Sequence, residues 1–160
     1  MTHDAELDLL GIGNAIVDVL AHCDDAFLEA EGLVKGSMNL IEVEESNGLY
    51  DRMGPGVEVS GGAAANSMAG AASFGSRVAY VGKIRDDQLG AVFQHDIRAA
   101  GVHFATPIAP DGPPTARSLI LVTPDAHRTM STYLGAAVEL GPEDIDTDLV
   151  ARCAVTYLEG

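Results

Sequence analysis

Apolar positions along the chain come in short runs closed by glycine or proline, and their spacing changes from run to run. LDLLGIG (residues 7–13) is a compact apolar run ended by glycines and predicts a buried strand. IVDVLAHC (16–23) predicts a second strand, with β-branched residues around Asp18. DAFLEAEG (25–32) predicts a short helix with glycine at its end. SMNLIEV (37–43) alternates as an exposed strand does, and EESNGLYDRMG predicts a short helix stopped at Gly54-Pro55. A small-residue helix follows at 62–74, then a strand at 77–82. Leu89, Phe93, Ile97 and Ala100 recur at helical spacing, with Asp86 or Asp87 available as the cap and Gly101 as the stop. VHF opens another short strand.

Residues 115–136 differ, because two β-rich runs flank TPDAH and predict a hairpin turning at Pro124-Asp125. GPEDIDTDLVARC reads as a proline-opened, acid-rich helix start, and AVTYLEG (154–160) as one more buried strand. The alternation of strand and helix predicts an α/β fold with a parallel sheet. No internal repeat or low-complexity linker interrupts it, so 160 residues make about one domain.

Composition narrows the function classes. Hydrophobic residues make up 47%, enough for a core, and with Trp absent and few aromatics that core is aliphatic. The net charge of −15 repels phosphate backbones and anionic lipid, which argues against nucleic-acid and membrane-surface roles. Cys23 and Cys153 lack metal-type spacing and fit reduced thiols of a cytoplasmic protein. MTHDAELDLLG has acids and no basic segment, unlike a signal peptide, and the apolar stretch 7–21 is too short to span a bilayer.

The candidate chemistry lies in EVSGGAAANSMAGAASFG (58–75), which holds almost no large side chain. A glycine pair at a helix start lets backbone N–H groups approach a ligand unobstructed, and Asn66 follows Gly62 by one helical turn. An amide both donates and accepts, which suits hydroxyl groups better than phosphate. The alternative is a tightly packed Ala-rich helix with Asn66 buried and bonded to backbone. GIGNAIVD (11–18) begins as a dinucleotide fingerprint but has Ile16 where the third glycine belongs. It leaves Asn14 at a strand end and Asp18 among valines, where an unpaired carboxylate is costly unless it caps a turn or binds a partner. Asn14, Asp18, Gly62 and Asn66 together make a polyol site, with no good nucleophile or metal cage among them.

VSGGAAANSMAGAASFG followed by VAYVGKIRDDQLG resembles the N-terminal signature of the ribokinase-like, or PfkB, family of carbohydrate and nucleoside kinases. GIGNAIVD is similar to the family's first strand and sugar-binding turn, while LVKGSMNLIE, HRTMSTYLGAA and YLEG resemble its adenosine-kinase-like branch. The resemblance implies a Rossmann-like α/β domain with a small β-sheet lid over the acceptor, the lid strands falling near 16–22, 37–43 and 115–134. It implies transfer of the γ-phosphoryl of ATP, with Mg2+, to a hydroxymethyl group of a sugar or nucleoside, adenosine being the first to consider. By this resemblance Asp18 binds sugar hydroxyls, helped by Asn14, Gly61, Gly62 and Asn66. Met38 and Leu40 sit on the lid near the base or sugar, Leu134 adds apolar wall, and Arg128 reaches toward the transferred phosphoryl. The plainer alternatives are packing for Met38, Leu40 and Leu134, and a solvated turn-flanking role for Arg128. Lids of this family pair in some members and not in others, so a homodimer through the lid stays open.

One departure is large. The family's second motif, which supplies an anion hole and the general base, has no counterpart here, since the chain contains no Gly-Ala-Gly-Asp. The chain therefore resembles the N-terminal half of a kinase of roughly twice this length, with ATP and Mg2+ held mainly by residues it lacks. Such a half is expected to be inactive alone. The competing readings are a polyol-binding or nucleoside-binding module without transfer machinery, and a dinucleotide-dependent enzyme based on GIGNAIVD.

Overall fold

The computed structural model describes residues 5–159; residues 1–4 of the acidic N-terminal stretch and Gly160, the end of the expected 154–160 strand, lie outside the described residues. Strands β1 (Leu7–Ile12), β5 (Val78–Val81), β6 (His103–Phe104) and β9 (Cys153–Leu158) form a parallel sheet in the order β6-β5-β1-β9. In chain order these strands stand third, second, first, fourth, the arrangement of a doubly wound α/β half in which ligands gather at the carboxyl ends of the strands.

Helices α3 (Ala63–Ser73) and α4 (Gln88–Ala99) cover one face of this sheet. α4 turns Phe93 and Ile97, both essentially inaccessible, toward Tyr80 and Phe104. The rings of Tyr80, Phe93 and Phe104 pack with centroids 5.5–6.1 Å apart. α3 lies so close to β1 that a Cβ on Gly11 would stand 2.6 Å from Met68 Cγ. That approach explains its alanines, for Ala64, Ala65 and Met68 are the residues α3 buries. The opposite face is covered by the short α5 (Thr147–Ala151), whose Leu149 packs with Leu10, Ala79 and Val81.

The second sheet is mixed, in the order β3-β8-β7-β2-β4, from β2 (Ile16–His22), β3 (Met38–Leu40), β4 (Val57–Gly61), β7 (Ala116–Val122) and β8 (Arg128–Tyr133). β7 and β8 are the expected hairpin, turning through Pro124 and Asp125, with Thr123 N–H bonded to His127 O at 3.0 Å. One face of this sheet buries Val17, Val19, Ala21, Leu119 and Leu121. Leu28 of α1 (Asp25–Ala30) and Leu49 of α2 (Val43–Arg52) belong to the same core.

Several sequence expectations are corrected. The strand expected over 37–43 is confined to Met38–Leu40, because Glu42 already caps α2 with its capping box to Glu45. β4 was not expected, although Val57 and Val59 alternate with Glu58 and Ser60. The proline-opened helix divides into a 3-10 turn, Pro142–Asp144, and α5, since Asp146 accepts from Asp148 and Leu149 N–H groups and starts the helix afresh. β9, expected to be buried, is an edge strand whose Val155, Tyr157 and Leu158 are exposed. Its apolar composition reports what the strand could bury and says nothing of what covers it.

Asp87 joins the two sheets. Its carboxylate caps α4 by accepting from Gly90 N–H at 2.8 Å, and it accepts from Thr115 N–H at 2.9 Å and Thr115 Oγ1 at 2.7 Å. Replacing Asp87 by Ala removes a helix cap and two charge-assisted bonds to a buried threonine. The expected loss is about 2–4 kcal/mol of unfolding free energy in urea. A loss below about 0.5 kcal/mol, the range of an ordinary surface substitution, would show that the link is idle.

Candidate functional site

Residues paired across neighbouring strands share a face of the sheet, so the register of the second sheet sorts its side chains into rows. On the face turned away from the helices, Val59, Asp18, Ser118, Thr132 and Leu40 form one row. The next row, toward the hairpin turn, is apolar throughout: Val57, Leu20, Ile120, Met130 and Met38. Beyond it stand His22, Val122 and Arg128. In the polar row Ser118 Oγ and Thr132 Oγ1 are 2.8 Å apart, a hydrogen bond across β7 and β8. Met38, Leu40 and Val57 are well exposed, at 56%, 63% and 64%. Exposed apolar side chains grouped in this way are a mark of interaction surfaces.

Asp18 is the one carboxylate of the polar row. Among the described residues nothing donates to it, and burial raises its carboxyl above the ordinary carboxylate range. The neighbouring backbone is stripped to admit it: a Cβ on Gly61 would collide with the Asp18 carboxylate. Gly62 turns at a φ of +91°, and a Cβ there would stand 2.5 Å from Asn14 O. Gly62 is also the N-cap of α3 and brings no side chain to that end of the helix. Asn14, Asp18, Gly61 and Gly62 therefore converge where β2, β4 and α3 meet.

Asn66 lies one turn into α3, exposed, its backbone N–H bonded to Gly62 O at 2.9 Å. The alternative of a buried Asn66 bonded to backbone through its amide is overturned: like that of half-buried Asn14, its side chain has no protein partner among the described residues. Leu40 shares the Asp18 row but stands three strands away, about 14 Å by strand spacing. Met38 lies at the same distance in the apolar row. Leu134 directly follows β8, half-buried. Arg128 opens β8 beside the hairpin turn, exposed, four residues or about 13 Å along the strand from Thr132. It shares the face of Asp18 but is not brought against it.

Sequence reasoning missed Ser118, Thr132, Ile120 and Met130. Each occupies an alternate position in the hairpin strands, so the period-two pattern held the signal, but only cross-strand register ties it to Asp18. The dinucleotide reading fails on connectivity. The glycines of GIGN lead directly into strand β2, and the fingerprint requires a helix there. Among the described residues no group of three or more His, Cys, Asp or Glu side chains is placed to hold a metal ion, and no helix is long and apolar enough to cross a membrane.

Comparison with known proteins bears on the fold and the family. An adenosine kinase from Sinorhizobium meliloti superposes with a TM-score of 0.89 at 60% identity, over 96% of this chain and 47% of that one. A probable sugar kinase from Rhizobium etli CFN 42 gives 0.89 at 52%, with the same coverage. The adenosine kinase from Schistosoma mansoni in complex with adenosine gives 0.80 at 27%, over 97% of this chain and 47% of that one. A probable fructokinase-4 from Arabidopsis thaliana is 27% identical over an alignment of 130 residues that covers 76% of this chain and 38% of the relative. The chain thus spans about half the length of the solved structures named here. The pfkB family carbohydrate kinase pattern matches residues 29–160, and the chain belongs to that family.

Proposed function

We propose that this chain supplies the acceptor-holding part of an ATP-dependent kinase that phosphorylates the hydroxymethyl group of a nucleoside or sugar, adenosine first. The observation that carries the reading is the Asp18 carboxylate, desolvated and without a donor among the described residues, set against a glycine backbone that leaves it room. A carboxylate so placed accepts from two vicinal hydroxyls, while the unpartnered amides of Asn14 and Asn66 can donate or accept. The apolar rows reaching Leu40 and Met38 suit a nucleobase extending from that sugar. The adenosine-bound relative supports this choice.

Arg128, on the same face at the hairpin turn, is the residue we assign to the incoming phosphoryl group, where a guanidinium stabilises charge that grows in the transition state. The donor ATP and its Mg2+ would be held by residues outside this chain. No set of described residues fits the metal, so no step is routed through it. The second reading is a binding module without transfer chemistry.

The pH dependence of Asp18 follows from the direction of its shift. A carboxyl whose folded pKa lies above its unfolded value binds the extra proton in the folded state. Stability of the ligand-free chain therefore falls as pH rises from the ordinary carboxylate range through the raised folded value. Hydroxyl donors favour the ionised form, so acceptor binding strengthens over the same window. Asp18→Asn should stabilise the free chain at neutral pH and flatten this dependence in a pH series of urea melts. It should also weaken acceptor binding by about 2–4 kcal/mol in calorimetric titration. Unchanged affinity for every nucleoside and sugar tried would sink the assignment.

Gly62→Val tests the approach of the backbone. A β-branched side chain at positive φ, aimed at Asn14 O, should weaken acceptor binding and lower the melting temperature together. Normal binding by a folded variant would leave the glycines a packing role only.

The two readings separate by activity. This chain alone should bind acceptor and give no acceptor-dependent ATP turnover. Joined to the downstream half of the kinase it resembles, it should turn over, and Arg128→Ala in that longer protein should lower kcat more than it raises KM. Acceptor-dependent turnover by the chain alone would overturn the division of labour, and an inert longer protein would favour the binding module.

A further inference from the structure

We propose that Asp96, remote from the binding face, is a positioning residue that holds the Gly61–Gly62 turn in its acceptor-competent place; the inference rests on the acceptor-site reading above. β4 is the outermost strand of its sheet, paired on one side with β2 and on the other with no strand. Its edge would leave backbone donors unmet. Asp96 of α4 meets one of them, its Oδ2 accepting from Ser60 N–H at 3.1 Å. The other carboxylate oxygen faces His95 Nδ1 at 2.9 Å, which fixes the plane of the group.

The placement of this bond gives it leverage. Ser60 is followed at once by Gly61, which lies against the Asp18 carboxylate, and by Gly62, which turns over Asn14 O. Glycines have the widest backbone freedom, so a turn built from two of them takes its geometry from what holds its flanks. On the far flank, α3 begins at Ala63. On the near flank, the polar ties between α4 and β4 among the described residues are the Asp96 bond and a long Gln88–Glu58 contact of 3.5 Å. α4 is anchored in the aromatic core by Phe93 and Ile97. A rigid helix is thus linked by one carboxylate to the residue before the turn that shapes the site. The Asp96 side chain is about one-third exposed, at 31%, so water can replace it in the fold without collapse of the core.

The experiment compares Asp96→Leu and Asp96→Asn with the wild-type chain, using adenosine and free pentoses as probes in calorimetric titration and hydrogen exchange on the free proteins. Asn keeps an acceptor oxygen for Ser60 N–H, and Leu has none. Asp96→Leu should bind the probe roughly tenfold more weakly and should exchange the Ser60 amide faster, while protection within α4 and β2 is unchanged. Asp96→Asn should recover most of both. Wild-type affinity in Asp96→Leu would overturn the inference. So would an Asn variant as weak as Leu, or loss of protection across all of α4 and β2, which would mark a general structural role. A wild-type chain that binds none of the probes would overturn the acceptor reading itself, and this inference with it; that result differs from binding that is equal in wild type and Asp96→Leu.

Discussion

The bonds from Asp87 to Thr115 fix where β7 leaves the frame of the parallel sheet, and the same stretch of chain, residues 80–96, holds each of the other passages between the two sheets. Tyr80 donates its hydroxyl to Gly13 O at 2.8 Å, where β1 gives way to β2. Lys83 donates to Glu139 O and pairs with the nearly buried Asp144, on the path from β8 back toward β9. Asp96 meets Ser60 on the return from β4. β5 is buried throughout and α4 is anchored by its buried Phe93 and Ile97, so the second sheet is hung from well-packed parts of the frame. A functional face carried on a separate sheet needs such a frame, because a shift of about 1 Å in the sheet displaces every group on that face together.

That face is built against its own stability. A row of polar side chains lies beside a wholly apolar row, and the carboxylate in the polar row has lost water without gaining a donor. Desolvation without compensation is unfavourable, as is leaving Met38, Leu40 and Val57 in solvent. On the proposed reading, both costs are removed by one event, the arrival of a ligand with hydroxyls at one end and an apolar body at the other. The packing behind the face shows no such compromise, for Val17, Val19, Leu119 and Leu121 are almost wholly buried. The strain belongs to one side of the sheet.

Much of this was legible in residue patterns. The Leu89–Phe93–Ile97 spacing defined α4 and its core contact, and the alanine run around Asn66 correctly implied a helix lying close on a neighbour. Asp18 stood out because a carboxylate between valines needs a reason. What escaped depends on which strand lies beside which. Ser118 and Thr132 are ordinary hairpin residues until register sets them in line with Asp18. β4 is short, and its two valines are outward-facing, so its alternation resembled a loop. AVTYL looked buried because composition records a strand's capacity for burial, while the cover over β9 is a property of the assembled fold. Asp87 was legible as a cap in kind, yet only the fold shows that it also reaches Thr115, 28 residues away.

The spacing of charge across the binding face bears on how acceptor and donor can share it. A carboxylate that holds hydroxyls repels a phosphoryl group, and at a net charge of −15 the chain as a whole does the same. The face answers by distance. Asp18 lies toward the main sheet, the apolar row intervenes, and the basic groups of the face, His22 and Arg128, stand together at the hairpin end. Among the described residues Arg128 has no carboxylate paired with it, whereas Lys35 is bridged to Asp25 and Asp125 beside the same turn. The hairpin is thereby tied down through Lys35 and leaves its guanidinium unspent. On the proposed reading, hydroxyl recognition and anion recognition lie on opposite sides of the hydrocarbon stripe, and a ligand that meets both must cross it.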